Sequence, residues 1–543
     1  MAHPSLHASD RSGSETSARS PWSPFRHKVY KLLWIATVVS NVGTWMYSAA
    51  ASWLMTSLNP DPLVVSLVQA ATSLPMFLFA LPAGALADII EKRRFILLLE
   101  VIVAAVAALF AALLSVGMVG PAALLVFMFL VATCSALEAP AWQSIVPQLV
   151  PSEDLPNAIA ANSVGVNISR AIGPALAGIL IAYVSITAPF WIDAFSNVGV
   201  IAVFLWWHPH RKRPSALPAE RFMNAIRAGF RYATYNRPLR ATLARAAGFF
   251  LFASAYWALL PLVARDQLAG GPELYGLLLG TIGAAAVGCA FILPRLKWKL
   301  GADRLVVLGE IGTAIALVLL GVAREPALAV LACVVAGMSW IAAIANLNTS
   351  VQLSLPDWVR GRGLAMYVTV FFGSMTVGST IWGEIASIAG LSPAHFIAAA
   401  GALAAIPLTR RWKLQTGAAI DLTPSMHWPE PVLAAEVQID AGPVLVLVDY
   451  RVDPANREPF LKALTALARE RRRDGAYDWG VFEDTAETGR FLETFLVESW
   501  LEHLRQHERV TKADQVIEKK VHRLLRNPPV VTHLISAEAQ QPS

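Results

Sequence analysis

Cysteine is scarce in this chain: three among 543 residues, Cys134, Cys289 and Cys333, each inside an apolar segment. That excludes a disulfide framework and a cysteine-based metal site, and leaves the three as small core residues. Charge is scarce too. Asp, Glu, Lys and Arg make up 15% of the chain against 55% apolar residues, where a soluble globular protein carries about 25% charged residues. Val101 to Val119 and Ile311 to Val322 hold no charge at all. No Gly-x-x-x-x-Gly-Lys-Ser/Thr loop occurs, which argues against an ATP-driven pump. Residues 1–24, Ser-rich and polar, lack the apolar core of a cleavable signal peptide and read as a disordered leader before a retained signal anchor.

What is present is apolar length, and a bilayer core needs about 20 such residues per helical crossing. Turn and charge signals divide residues 29–412 into about twelve crossings, near 29–57, 62–87, 95–118, 121–146, 157–184, 188–207, 241–264, 273–295, 304–323, 326–353, 362–389 and 393–410. The expected fold is an all-α polytopic membrane protein of two six-helix halves, followed by a small α+β domain. The expected parts are a leader (1–28), a first half (29–207), a central loop (208–240), a second half (241–412), a linker (413–429) and a soluble domain (430–543).

Residues 430–543 carry 15 Lys+Arg and 19 Asp+Glu, net −4, so the overall +6 leaves +10 for residues 1–429. The cations sit on alternate connections: Lys92-Arg93-Arg94; Arg211-Lys212-Arg213 with Arg221, Arg227, Arg231, Arg237 and Arg240; Arg295, Lys297, Lys299 and Arg304; Arg360 and Arg362; Arg410, Arg411 and Lys413. The positive-inside rule places those loops, both termini and the tail in the cytoplasm. A basic excess arranged this way faces lipid headgroups, and no nucleic-acid partner is expected. Within the central loop Phe222, Ile226 and Phe230 recur every four residues, which predicts an amphipathic helix on the inner leaflet.

The halves repeat. At an offset of 205, Pro151 matches Pro356, Ala160 matches Ala365, Ser169 matches Ser374, Gly173 matches Gly378 and Gly178 matches Gly383. A same-direction repeat of this kind is a common plan of secondary transporters.

The second cytoplasmic turn reads Gly84-Ala-Leu-Ala-Asp88-Ile-Ile-Glu91-Lys92-Arg93-Arg94. It resembles the conserved loop of the major facilitator superfamily, with Ile89 where that family has a basic residue and Glu91 where it has a later Gly. The resemblance implies that Gly84, Asp88, Arg93 and Arg94 form a conformational loop that ties the halves together and releases as the transporter turns. In the fifth crossing, Gly165, Gly173, Pro174 and Gly178, with Arg170 among them, look like the Gly-Pro element of the antiporter branch, with Ala177 where Gly often stands. Small residues let helices approach, and a proline frees backbone groups so that a helix can bend. With the twelve crossings, the central loop and the Pro140 to Pro151 stretch, the chain resembles the enterobactin-exporter-like, or transmembrane secretion effector, branch. That implies a secondary exporter of a small amphiphilic molecule, siderophore-like or drug-like, working by alternating access and proton antiport.

Ionisable groups at membrane depth are costly and tend to serve function. Glu138, Arg170, Asp193, Glu310 and Glu384 are the candidates for proton coupling. Glu138 and Arg170 differ in expected depth by about 6 Å at 1.5 Å per residue, a gap an Arg side chain spans, so they are expected to face each other. Asn41, Gln69, Asn162, Asn167, Asn346 and Asn348, with Trp45, Tyr256, Trp257, Trp340 and Trp382, are candidates to line a substrate path.

The tail reads as βαββαβ: strands at 444–452, 477–483, 490–498 and 530–535, and helices at 454–473 and 500–526. Glu498-Ser-Trp500-Leu-Glu-His503-Leu-Arg-Gln-His507 resembles antibiotic-biosynthesis-monooxygenase-like domains, which pair as dimeric α/β barrels. That implies regulation or homodimerisation. The tail shows no nucleophile-base pair, metal-ligand spacing or cofactor loop, and His503 and His507 read as surface residues. No catalytic residue, metal or cofactor is expected. The rival reading is a membrane-anchored enzyme in which the tail does the chemistry.

Overall fold

A computed structural model describes residues 20–207, 222–415, 421–425, 427–428, 438 and 441–537, without the side chains at 85, 87–89, 222–226 and 228. The leader to residue 19, Arg211-Lys212-Arg213, Arg221 and the side chains of Asp88, Phe222 and Ile226 therefore lie outside the described residues.

The first half consists of α1 (Lys28–Leu58), α2 (Pro62–Ile89), α3 (Lys92–Ser115), α4 (Pro121–Ile145), α5 (Leu155–Tyr183) and α6 (Ala188–Trp206). After α7 (Phe222–Tyr235) come α8 (Arg237–Leu262), α9 (Pro272–Leu300), α10 (Ala302–Val322), α11 (Pro326–Leu353), α12 (Arg360–Ala389) and α13 (Leu391–Thr409). Among the described residues eleven of these helices are long and apolar enough to cross a membrane. The remaining long one is α1, whose Ser40, Asn41, Thr44, Ser48 and Ser52 dilute its apolar character, yet it packs against α5 and α6 inside the bundle.

Local chemistry sets the helix ends. Pro62, Pro121, Pro272 and Pro326 open their helices at N1, where the missing N–H costs nothing. Asp61 caps α2 by accepting from Leu63 N at 2.8 Å. Asn236 caps α8 by accepting from Leu239 N at 2.8 Å. Gly301 and Gly390 turn the chain at φ +78° and +92°, a conformation that favours glycine. Order begins before the expected crossing: Ser23–Arg26 forms a 3-10 turn, and Phe25 packs on Tyr30 and Trp34 of α1.

Between the halves, α2 packs against α12 and α5 against α9. The offset-205 repeat acquires a physical meaning at these seams. A Cβ at Gly173 would lie 2.5 Å from Trp45 Cβ of α1, and one at Gly378 would lie 2.5 Å from Leu251 O of α8, the first helix of each half. A Cβ at Gly178 would meet Pro272 O and Gly276 of α9, and one at Gly383 would meet Ser66 and Leu63 of α2, the second helix of the opposite half. Both crossings lie near the ends of α5 and α12 that point away from the C-terminal unit. On that far face Arg265 donates to Thr56 O and Trp53 stacks on Tyr275 at 5.9 Å, again across the halves.

The C-terminal unit contains β1 (Val444–Arg451), α14 (Arg457–Arg473), β2 (Tyr477–Glu483), β3 (Arg490–Val497), α15 (Trp500–Arg509), α16 (Lys512–His522) and β4 (Val530–Ile535). The sheet is antiparallel in the order β2-β3-β1-β4, the ferredoxin-like arrangement. Its own core holds Val444, Val446, Tyr450, Phe460, Leu464, Phe495 and Trp500. The single helix expected over 500–526 is two, because Thr511 opens a capping box with Asp514 and restarts the chain as α16. Residues 421–425 and 427–428, expected as linker, run along these helices: Ser425 N donates to Val510 O at 2.9 Å and His427 Nε2 lies 2.6 Å from Glu518 Oε2.

This unit docks on α7 and on the turn before α12. Arg231 Nη2 lies 3.4 Å from Glu502 Oε1. The Arg473 guanidinium lies over the Tyr232 ring at 5.4 Å, and that of Arg509 over Trp358 at 4.5 Å. Among the described residues of α7, Gly229, Tyr232 and Ala233 are buried, while Phe230 of the expected leaflet stripe is 67% exposed.

Candidate functional site

Polar groups of the first half converge on its interior. Glu100 of α3 and Glu138 of α4 stand side by side, two carboxyl groups within electrostatic reach of each other. Asp193 of α6, 1% exposed, lies within electrostatic reach of Glu100 and of Tyr47. The Tyr47 hydroxyl is buried without a hydrogen-bond partner. Thr44 of α1 donates to Asp193 Oδ1 at 3.4 Å, Ser40 donates to Asn197 Oδ1 at 2.7 Å, and Asn197 Nδ2 donates to Asp193 O at 2.9 Å. Gly43 permits the approach of α1 to α6, since a Cβ there would sit 2.6 Å from Ser196 Oγ and 3.0 Å from Asp193 Cα.

The expected Glu138–Arg170 pair does not form. The glycine face of α5 is turned onto α1, where Ser169 Oγ donates to Val38 O at 3.2 Å. Arg170 goes with it, its guanidinium over the Trp45 ring at 5.2 Å and its Nε buried without a hydrogen-bond partner. The sequence reading passes over Glu100, because its charge-free stretch starts at Val101. The signal is nevertheless there: a lone acid eight residues into an otherwise apolar helix that opens on three cations.

In the second half, Glu310 of α10 and Arg245 of α8, 1% and 2% exposed, pair at 3.5 Å. Arg245 also lies 3.6 Å from Asp303, which accepts from Leu414 N at 3.0 Å. Sequence reasoning misses Arg245 by counting it with neither the loop cations nor the membrane charges. Glu384 is exposed near the far end of α12 and has no ion-pair partner among the described residues.

Of the conformational loop, Arg93 Nε and Nη2 donate to Phe204 O and Leu205 O at 2.8 and 3.1 Å, capping α6 within the same half. Arg94 pairs with Glu91 at 3.2 Å. A Cβ at Gly84 would meet nothing within 4 Å. The Asp88 side chain lies outside the described residues.

The path candidates scatter. Asn162 accepts from Tyr30 OH at 3.2 Å, Asn167 Nδ2 donates to Ser163 O at 2.8 Å, Gln69 donates to Ser73 Oγ at 3.0 Å, and Asn346 Nδ2 donates to Ala342 O at 2.8 Å. Asn41 is half-buried and Asn348 exposed. Of the aromatics, Tyr256, Trp257 and Trp340 gather: Trp340 lies 5.3 Å from Trp257, 5.4 Å from Phe250 and 6.0 Å from Phe371, and Tyr256 lies 5.7 Å from Trp257. Trp45 instead lies under Arg170 in the first half, and Trp382 Nε1 donates to Leu251 O at 2.7 Å. Trp257 Nε1 and Trp340 Nε1 are buried without a hydrogen-bond partner.

Comparison with known proteins places this architecture. The family model described as transmembrane secretion effector matches residues 19–541. The chain belongs to the transmembrane secretion effector family. Among the family's relatives, the staphyloferrin A transporter of Staphylococcus aureus (strain NCTC 8325 / PS 47) is 25% identical over 361 residues, covering 64% of this chain and 87% of that protein. The enterobactin exporter EntS of Shigella boydii serotype 4 (strain Sb227) is 22% identical over 392 residues, covering 69% and 89%. Among solved structures, a POT family transporter in complex with 5-aminolevulinic acid superposes with a TM-score of 0.58 at 11% identity, covering 71% of this chain and 96% of that one. The nucleoside transporter NupG, as its D323A mutant, also gives 0.58 at 11% identity, covering 71% and 99%. At such identity these two show the fold alone. This transmembrane secretion effector is thus a multi-pass membrane transporter of the major facilitator type.

Proposed function

We propose that the protein exports a small amphiphilic, siderophore-like molecule from the cytoplasm across the inner membrane by alternating access, in exchange for protons. The observation that carries the proton step is the cluster of buried Glu100 and Asp193 with half-buried Glu138 on three helices of one half. Adding or removing a proton there changes the net charge of a site with little water to screen it, so α3, α4 and α6 must adjust their packing. The siderophore class is carried over from the printed names of the two relatives, and the aromatic cluster around Trp340 suits an amphiphilic ring system.

The glycine seams on the far face support alternating access, since close backbone approach at Gly178 and Gly383 leaves only a few side-chain contacts there, Arg265 with Thr56 and Trp53 with Tyr275, to be broken as the halves rock. With both termini cytoplasmic, that contact corresponds to a carrier closed to the outside. The C-terminal unit regulates the carrier or pairs it with a second copy. Everted vesicles loaded by a pH gradient and offered a panel of siderophores test the reading. Gradient-dependent uptake of one class is expected, with its pH dependence flattened in Glu138→Gln. Uptake indifferent to the gradient would remove proton exchange, and no uptake of any siderophore would remove the substrate class.

A further inference from the structure

The expectation that His503 and His507 lie on the surface fails. His503 is 2% exposed and His507 is half-buried, because both project from the face of α15 that covers the sheet. On β4, His533 stands opposite Val446 of β1, a residue of the unit's core, and so points to the same side. Helix periodicity and strand alternation thus bring three imidazoles from two elements to one point. Their nitrogens lie within 4.8 Å of one another, and His503 Nε2 and His507 Nε2 are 3.3 Å apart.

We propose that His503, His507 and His533 form a binding site for a divalent transition-metal ion of the zinc class. Around a tetrahedral zinc with Zn–N bonds of about 2.0–2.1 Å, neighbouring nitrogens stand about 3.3–3.4 Å apart, the separation already present between the two helix ligands. The His533 ring, 4.6 Å from that of His503 centre to centre, needs only a side-chain adjustment to complete three bonds. Three imidazoles favour zinc, copper or nickel over magnesium or calcium, and leave a fourth position for water or an added ligand.

The surroundings fit ligation. His503 Nδ1 and Gln506 Oε1 are both buried without a hydrogen-bond partner, and the two side chains are neighbours on α15. Donation from Nδ1–H to that amide oxygen would fix the tautomer with Nε2 free for the metal. One cation stands close: Arg471 lies over the Trp428 ring, which also meets His507 edge-on. Its charge weakens metal binding, and the Glu493 carboxylate at 3.8 Å offsets it.

The test uses the full chain, purified in detergent and stripped of metal, titrated with Co(II) alone and then with Zn(II). One equivalent of cobalt should give the intense visible bands of a four-coordinate ion, and one equivalent of zinc should erase them. His507→Gln and His533→Gln, both at half-buried positions, should each weaken binding by at least about tenfold, the scale seen for lesser changes around metal sites. His522→Gln, on the exposed side chain of α16, should bind as the parent does. Absence of stoichiometric cobalt bands in the parent overturns the proposal, as do ligand variants that bind like the parent, which would make the trio a packing cluster. Circular dichroism checks each variant's fold, and if a variant misfolds the parent's cobalt spectrum decides by itself.

Discussion

The two halves of the membrane bundle share a backbone plan and differ in their chemistry. Gly173 and Gly378 each let the fifth helix of a half lie against its first, and Gly178 and Gly383 each let it reach across to the second helix of the other half. Inside that common frame the first half gathers three carboxyl groups, Glu100 and Asp193 buried and Glu138 half-buried, while its interior cation Arg170 turns to Trp45 instead, whereas the second buries a matched Arg245–Glu310 pair and a nest of aromatic rings. Helix packing constrains small residues at contact points, while interior polar groups are free to diverge so long as each half satisfies them. The joints repeat between the halves and the contents differ.

That contrast can be broken from the charged side first. Arg245→Ala leaves Glu310 buried without its cation, and should destabilise the second half by about 3–5 kcal/mol, read as thermal unfolding in detergent. The paired Arg245→Met, Glu310→Leu should recover most of the loss. A double variant as unstable as the single would mean that the pair is not what holds α8 to α10.

A smaller effect is expected at the joints. Gly178→Val drives a side chain into Pro272 O of α9, 2.6 Å from where its Cβ would lie, and overpacking of this kind costs about 1–3 kcal/mol. Gly383→Val should do the same at α2. If the repeat is a mechanical one, both variants should increase labelling of a cysteine placed at Ser52, beside the far-face stack of Trp53 on Tyr275; labelling changed by only one of them would show the joints to be unequal.

Glu138→Gln tests the first half. Its gradient-driven efflux should fall by about tenfold, roughly 1.4 kcal/mol, with the pH profile flattened, while Glu310→Gln, in the half with the matched pair, should keep the parent's profile shape. The reverse outcome would exchange the roles of the halves.

The least effect belongs to the soluble unit. Burial, opposed by Arg473 and reinforced by Asp514, raises the Glu470 carboxyl to about 7. A carboxyl raised above its unfolded value of about 4.3 favours the folded state while protonated, so its contribution is whole at acid pH and is lost as pH rises toward 7. Melting of the unit, followed by tryptophan fluorescence, should therefore shift to lower temperature between about pH 4.5 and 7, and Glu470→Gln should flatten that slope.

Helix number, the repeat and the βαββαβ order were legible because apolar length, small-residue spacing and strand alternation are local signals. The partners of the buried charges were not. Glu138 meets Glu100 rather than Arg170, and Arg93 caps α6 rather than crossing between halves, because helix rotation decides which side of a helix a charge faces, and depth along the axis says nothing of rotation. The histidine trio was hidden for a related reason: His533 joins the other two only through the register of an edge strand.

The contacts of the C-terminal unit described above, Arg473 on Tyr232, Arg509 on Trp358 and Glu502 with Arg231, all fall on α7 or on the turn before α12. The unit is therefore fastened to the second half, and under the proposed alternating access it would travel as cargo on one arm of a rocker. A dye pair spanning the unit and the inward end of α4 would serve as a dial for the transport cycle, read without a substrate in hand.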